Sequence, residues 1–106
     1  MSGKTSREKG KRGEREIAAI LRENGFDGKR GVQYHGGADS PDVVGLAGIH
    51  IEVKRVERLD LTKAMAQSIK DMGDNEIPVV FHRKSREPWL VTLTLHDFLN
   101  LYKEAK

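Results

Sequence analysis

Residues 41–54 read Pro41-Asp42-Val43-Val44-Gly45-Leu46-Ala47-Gly48-Ile49-His50-Ile51-Glu52-Val53-Lys54. Two short apolar runs flank Ala47-Gly48, which is the pattern of a β-hairpin over Asp42–Leu46 and Ile49–Val56. Side chains alternate along a strand, so Glu52 and Lys54 share one face while Ile51 and Val53 take the other. A three-residue loop, Leu46-Ala47-Gly48 with Gly48 left-handed, pairs Gly45 with Ile49. Counting outward then sets Asp42 opposite Glu52, with Cβ atoms about 4.5–5.5 Å apart. A two-residue Ala47-Gly48 turn would shift that register by one. Two carboxylates so close repel unless a proton or cation sits between them, and half-buried charge is costly unless something uses it. An all-oxygen ligand set suits Mg²⁺ or Mn²⁺ better than zinc. Lys54 beside it can orient a water, take its proton, or stabilise charge building on a phosphate. Alone, Glu-x-Lys is usually an exposed ion pair. The Pro41-Asp42 pair across the hairpin shifts the balance toward a site.

Outward from the hairpin, the chain reads α-β-β-β-α-β-β-α. Helical spacing over Lys9–Asn24 sets Ile17, Ile20, Leu21 and Asn24 on one stripe, with Gly25 as the C-terminal cap. Gly10 and Gly13 weaken its first turns, and residues 1–8 are expected to be flexible. Lys29–Tyr34 forms a first strand, and His35–Ser40 a Gly-rich loop. Leu61, Ala64, Met65, Ser68, Ile69 and Met72 repeat at helical spacing between an Asp60 N-cap and a Gly73 stop. Ile77–His82 and Trp89–Thr94 are strands around an 84–88 turn. A last helix from Thr94 or Leu95 carries Phe98, Leu99 and Tyr102, expected in the core along with Trp89, or else forming a dimer face. This is a single mixed α/β (α+β) domain over residues 1–106.

Of the 106 residues, 33% are charged, and the net charge is +3. The excess lies in residues 1–30, with nine Lys/Arg against five Asp/Glu, while the other 76 residues sum to −1. A basic N-terminal third suits a polyanionic partner, or simply solvates that end. The chain has no cysteine, which excludes a disulfide framework and a thiolate metal site and fits a cytoplasmic location. No apolar run is long enough to span a membrane, and no signal-peptide pattern opens the sequence.

Pro41-Asp42, Glu52-Val53-Lys54 and the helix after them resemble the PD-(D/E)xK nuclease superfamily, over about residues 9–101. Glu16 in Lys11-Arg12-Gly13-Glu14-Arg15-Glu16 stands where archaeal-type Holliday junction resolvases and related phage nucleases carry a metal-binding glutamate. Gln67 stands where several branches place a glutamine near the catalytic lysine. The runs around Val53–Leu59, Pro78–Arg83 and Trp89–Val91 are similar to small phage or prophage endonucleases.

The resemblance implies a restriction-endonuclease-like core, αβββαβ, with an extra C-terminal strand and helix. It implies a metal-dependent DNA endonuclease, resolvase-like or structure-selective, that leaves 5′-phosphate ends. Asp42, Glu52, the Val53 carbonyl and Glu16 would hold Mg²⁺ or Mn²⁺. Lys54 would activate water, and Gln67 would orient Lys54 or a phosphate. Without the resemblance, Glu16 reads as a partner of Arg12 and Gln67 as a solvated residue.

Candidate phosphate contacts are Lys9, Lys11, Arg12 and Arg15, then Lys29 and Arg30, Arg55 and Arg58, with Ser40 in the loop before Asp42. The four histidines have no zinc spacing. His50 shares a face with Glu52 and reads first as structural. Symmetric cutting of a four-way junction needs two active sites and so a homodimer. The alternatives are a non-catalytic nucleic-acid-binding domain that keeps the fold, and a structural partner docking through the basic helix. The intact Asp42, Glu52 and Lys54 speak against both.

Overall fold

The computed structural model describes residues 3–31 and 41–106, for residues 3–9 the backbone alone. Its elements are α1 (Gly3–Glu23), β1 (Lys29–Arg30), β2 (Val43–Val44), β3 (Ile49–Arg55), α2 (Leu61–Asp71), β4 (Ile77–Arg83), β5 (Leu90–Thr92) and α3 (Leu95–Ala105). This is the expected αβββαβ order with a strand and helix added. The rest of the strand expected over Lys29–Tyr34 beyond Gly31, and the His35–Ser40 loop with Ser40, lie outside the described residues, as does the side chain of Lys9.

The five strands form one sheet in the order β1-β2-β3-β4-β5. β3 and β4 run parallel, in register from Ile49↔Ile77 to Arg55↔Arg83, and the other neighbours are antiparallel. Parallel neighbours need a crossover, which α2 supplies.

α1 starts at Gly3, six residues before the expected Lys9. Extending a formed helix is far cheaper than nucleating one, so the polar Lys4–Lys9 run joins it. Gly13 is tolerated for packing: a Cβ there would stand 3.1 Å from Arg55 Cβ, so the helix lies close over β3. Gly25, at φ +89°, ends the helix in a Schellman turn. In that turn Gly25 N–H bonds Arg22 C=O and Phe26 N–H bonds Leu21 C=O.

The main core lies between α1 and the sheet. Ile17, Ala18 and Leu21 meet Val43, Ile51, Val53 and Val79, with Trp89 and Leu93 packed partly against them. Ile20, expected on that stripe, is 37% exposed. α2 is capped by Asp60, which accepts from Lys63 N–H at 3.0 Å. It buries the small side chains of Ala64 and Ser68, together with Asp71. Ser68 Oγ donates to Val79 C=O at 3.2 Å, a close approach that a longer side chain would prevent. Ile69 and Met72, expected inward, are therefore rotated into water.

Phe98, Leu99 and Tyr102, expected in the core, are exposed instead, and α3 buries no residue. The chain turns at Thr94, whose hydroxyl caps α3 by accepting from Asp97 N–H, and the helix then runs clear of the sheet. Among the described residues no helix is long and apolar enough to cross a membrane.

Candidate active site

β2 and β3 pair through Val43↔Ile51, the register that sets Asp42 opposite Glu52. The loop is the three-residue one: Ile49 N–H bonds Leu46 C=O at 3.1 Å, and Gly48 has φ +80°. Asp42 is held on both sides. Its N–H bonds Ile51 C=O at 2.9 Å, and its C=O accepts from Gly31 N–H at 2.8 Å. Its Oδ2 accepts from Val53 N–H at 2.9 Å, taking the place of a backbone carbonyl in the ladder. Within the regular strand β3, Ile51 C=O points to Asp42, and the carbonyl two residues on emerges on the same edge, so the Val53 carbonyl also faces the Asp42 side.

Glu52 is buried, and its pKa is raised from 4.5 to about 7, with burial the largest cause. The neighbouring Asp42 charge is the second cause of that rise, while a hydrogen bond with His50 opposes it. His50 Nε2 lies 2.8 Å from Glu52 Oε2, and its Nδ1 lies 3.5 Å from Glu76 Oε1. His50 is 1% exposed and braces Glu52 from behind. Lys54, half-buried, has no ion-pair partner among the described residues. It is registered beside His82 of β4, whose pKa burial lowers and whose Nε2 lies 2.8 Å from Thr92 Oγ1.

Two glutamates of α1 stand two residues apart and point to different places. Glu16, the expected ligand, lies 3.1 Å from Arg55 Nε and 3.5 Å from Arg83, and accepts from Trp89 Nε1 at 3.2 Å. It serves the two arginines that β3 and β4 set side by side. Glu14 instead faces the carboxylates. Its pKa is raised, first by burial and further by Asp42, while Arg30, 2.9 Å away, acts against the rise. Glu14 is not among the site residues expected from the motif, yet the helix pattern carries a signal for it. The buried stripe Ile17, Ala18, Leu21, carried back one turn, falls on Glu14.

Gln67 donates to Asp71 one turn along α2. Of the basic residues, Lys11, Arg12, Arg15, Lys29 and Arg58 are exposed. Arg30 pairs with Glu14, and Arg55 is turned inward to Glu16, its side chain 13% exposed.

Donor chemistry and electrostatics fit a divalent cation. Asp42 and Glu52 are adjacent oxygen donors whose mutual repulsion a cation would relieve, and Glu14 feels the same field. Among the described residues no three acidic or histidine side chains are already drawn to ligand distance of one point, so chelation would need side-chain rotation.

A family model, described as archaeal Holliday junction resolvase (hjc), matches residues 5–92. The chain belongs to that family. A similar solved structure is that of Archaeoglobus fulgidus Hjc, a Holliday junction resolvase from an archaeal hyperthermophile. It is 27% identical over 80% of this chain and 72% of that one, with a TM-score of 0.59. No curated protein matches. A resolvase-family chain is a nuclease that binds DNA, junction DNA included, and nucleases of this family generally use divalent metals. The matched range takes in Glu14, Asp42, Glu52 and Lys54 and stops before α3.

Proposed function

We propose that this chain is a PD-(D/E)xK-type endonuclease that cuts four-way-junction DNA with Mg²⁺ or Mn²⁺, acting as a homodimer in the cytoplasm. The observation that carries the reading is the Asp42–Glu52 carboxylate pair, with Glu52 pushed up to about 7 and, two residues on, the Lys54 ammonium, which has no ion-pair partner among the described residues. Asp42, Glu52 and the Val53 carbonyl hold the cation. Glu14 takes the part that the resemblance gave to Glu16, since Glu14 senses Asp42 while Glu16 is engaged by Arg55 and Arg83. A bound divalent ion would supply Lewis-acid polarisation of the phosphate and lower the pKa of a water. Lys54 orients the attacking water and offsets charge on the phosphate in the transition state. His50 keeps the Glu52 carboxylate aimed, and Gln67 reaches Lys54 or a phosphate only by leaving Asp71. Lys9, Lys11, Arg12, Arg15, Ser40 and Arg58 are proposed phosphate contacts, with Arg30 joining when it exchanges Glu14 for DNA.

The test incubates the protein with four-way-junction, flap, duplex and single-stranded DNA, with Mg²⁺, Mn²⁺ or chelator. Cutting of the junction that needs metal and is lost in Asp42→Asn and Lys54→Ala is the expected result. Metal-independent cutting, or cutting that survives both substitutions, overturns the reading. Junction binding without any cutting returns the chain to the non-catalytic alternative.

A further inference from the structure

One strand away from Lys54, at its registered neighbour His82, a groove of about 730 Å³ opens. Its apolar lining comes from Val56, Leu59 and Leu61 on one side and Pro88 and Leu90 on the other. Its cations are Arg58 and Lys84, neither with an ion-pair partner among the described residues. Arg83 also lines it but is engaged by Glu16, and the opposing charges are Glu87 at the rim and Glu57, whose carboxylate is held by Ser85. The two walls are fastened to each other. Glu57 accepts from Ser85 N–H at 3.0 Å and from Ser85 Oγ at 2.7 Å, across 28 residues of chain.

That lining is unsuited to a phosphate alone, because five apolar side chains offer it nothing. It is equally unsuited to a stacked duplex, which presents phosphates outward and hides its bases. A volume in the range of small-ligand sites, apolar walls and two cations without an ion-pair partner among the described residues suit one whole nucleotide, its base against the walls and its phosphate on the rim. We propose that this groove seats a single unstacked nucleotide beside the scissile phosphate, and that the protein thereby tells branched DNA from linear duplex. The proposal rests on the nuclease reading above. A branch point already holds poorly stacked bases, whereas linear duplex must first pay a few kcal/mol to extrude one.

The experiment places 2-aminopurine, which brightens on unstacking, at single positions around the branch of a four-way junction and at matched positions in linear duplex. Binding is followed without added metal, so that no strand is cut. The expected result is a severalfold brightening at one branch position and none in linear duplex. Leu90→Glu, at a side chain already 55% exposed, should abolish the signal and cut the junction-over-duplex affinity ratio about tenfold. The double change Arg58→Gln/Lys84→Gln, at two exposed side chains, should weaken junction binding and reduce its salt dependence by close to two ion equivalents. No brightening at any branch position, or brightening untouched by both variants, overturns the groove proposal. Metal-dependent junction cutting is scored separately. Cutting without brightening removes the groove and leaves the nuclease, whereas brightening without cutting removes the nuclease and leaves the groove.

Discussion

Glu52 shows what one carboxyl contributes at the residue scale. Its folded-state pKa, about 7, lies above its ordinary 4.5, so the folded chain holds this proton more tightly than the unfolded chain. The stabilisation is fully present below 4.5 and is lost as pH rises through 7. Metal-free protein should therefore lose on the order of 1–3 kcal/mol between pH 5 and pH 8 from this group. Urea melts at the two pH values measure it. Millimolar Mg²⁺ should restore the loss at pH 8 and do little at pH 5, and a melt flat across this range in Asp42→Asn/Glu52→Gln would tie the effect to the pair. The α1 glutamates separate in the same way. Glu14→Gln should lower metal-dependent cleavage roughly a hundredfold, as loss of a metal-supporting group does, with little change in melting. Glu16→Gln should do the opposite. It leaves Arg55 and Arg83 in neighbouring positions without their shared carboxylate, at a cost of about 1–2 kcal/mol after screening, with turnover kept. A Glu16→Gln enzyme that folds as wild type yet cannot cut would return the ligand role to Glu16. Motif matching alone does not choose between these residues. It aligns one glutamate on a helix, while the choice is made by which side of α1 faces β2, a property of packing.

At the element scale the hairpin was the most legible part of the chain, because its loop length and alternation are local rules. Val43↔Ile51, the φ of Gly48 and the Asp60 cap all follow from a few adjacent residues. The helix start and the inward face of α2 were not legible in the same way. The first depends on a long polar run extending an existing helix, and the second on Ala64 and Ser68 allowing close contact where Ile69 and Met72 would not. Gly45 is a further case. Its φ of +135° and a Cβ position 2.8 Å from Gly28 Cα and 2.9 Å from Asp27 C=O allow no side chain. Gly45→Ala should cost about 2–4 kcal/mol, because both the backbone angle and the neighbouring backbone resist it. The same change pushes β2 away from the turn before β1 and with it Asp42, three residues back. Junction cleavage per folded molecule should fall together with the melting temperature. A Gly45→Ala protein that melts lower but cuts normally when folded would separate β2 placement from Asp42 placement.

For the molecule as a whole, α3 is the element that a single copy does not explain. Eleven residues of isolated helix are marginal in water, and this helix buries none of them. Leu95, Phe98, Leu99 and Tyr102 repeat at i, i+3, i+4 and i+7, between 45 and 72% exposed, the stripe of a helix that expects a neighbour. With Leu101 they leave roughly 500 Å² in water, taking about 200 Å² for a fully exposed large apolar group. That is more than half of the ~800 Å² each partner contributes to a standard interface. An antiparallel pair of α3 helices about a two-fold axis sets Leu95 of one against Tyr102 of the other and brings Lys103 within a turn of the facing Asp97. It also opposes the helix dipoles, whereas a parallel pair would stack like ends together. Two copies are also what symmetric cutting of a four-way junction requires. Sedimentation equilibrium should therefore give twice 11.9 kDa for wild type. Phe98→Glu/Leu99→Glu should give the monomer with an unchanged circular dichroism spectrum in the sheet region, while the same charge at exposed Ile69 should leave the dimer intact. Because the chain has no cysteine, Leu99→Cys provides a second readout: mild oxidation should link two copies if α3 lies near the axis. A dimer that survives Phe98→Glu/Leu99→Glu but falls apart with Ile69→Glu would move the interface to α2. In the monomeric variant, junction cutting should decay from paired incisions to single nicks, since the second active site must then arrive by an independent encounter.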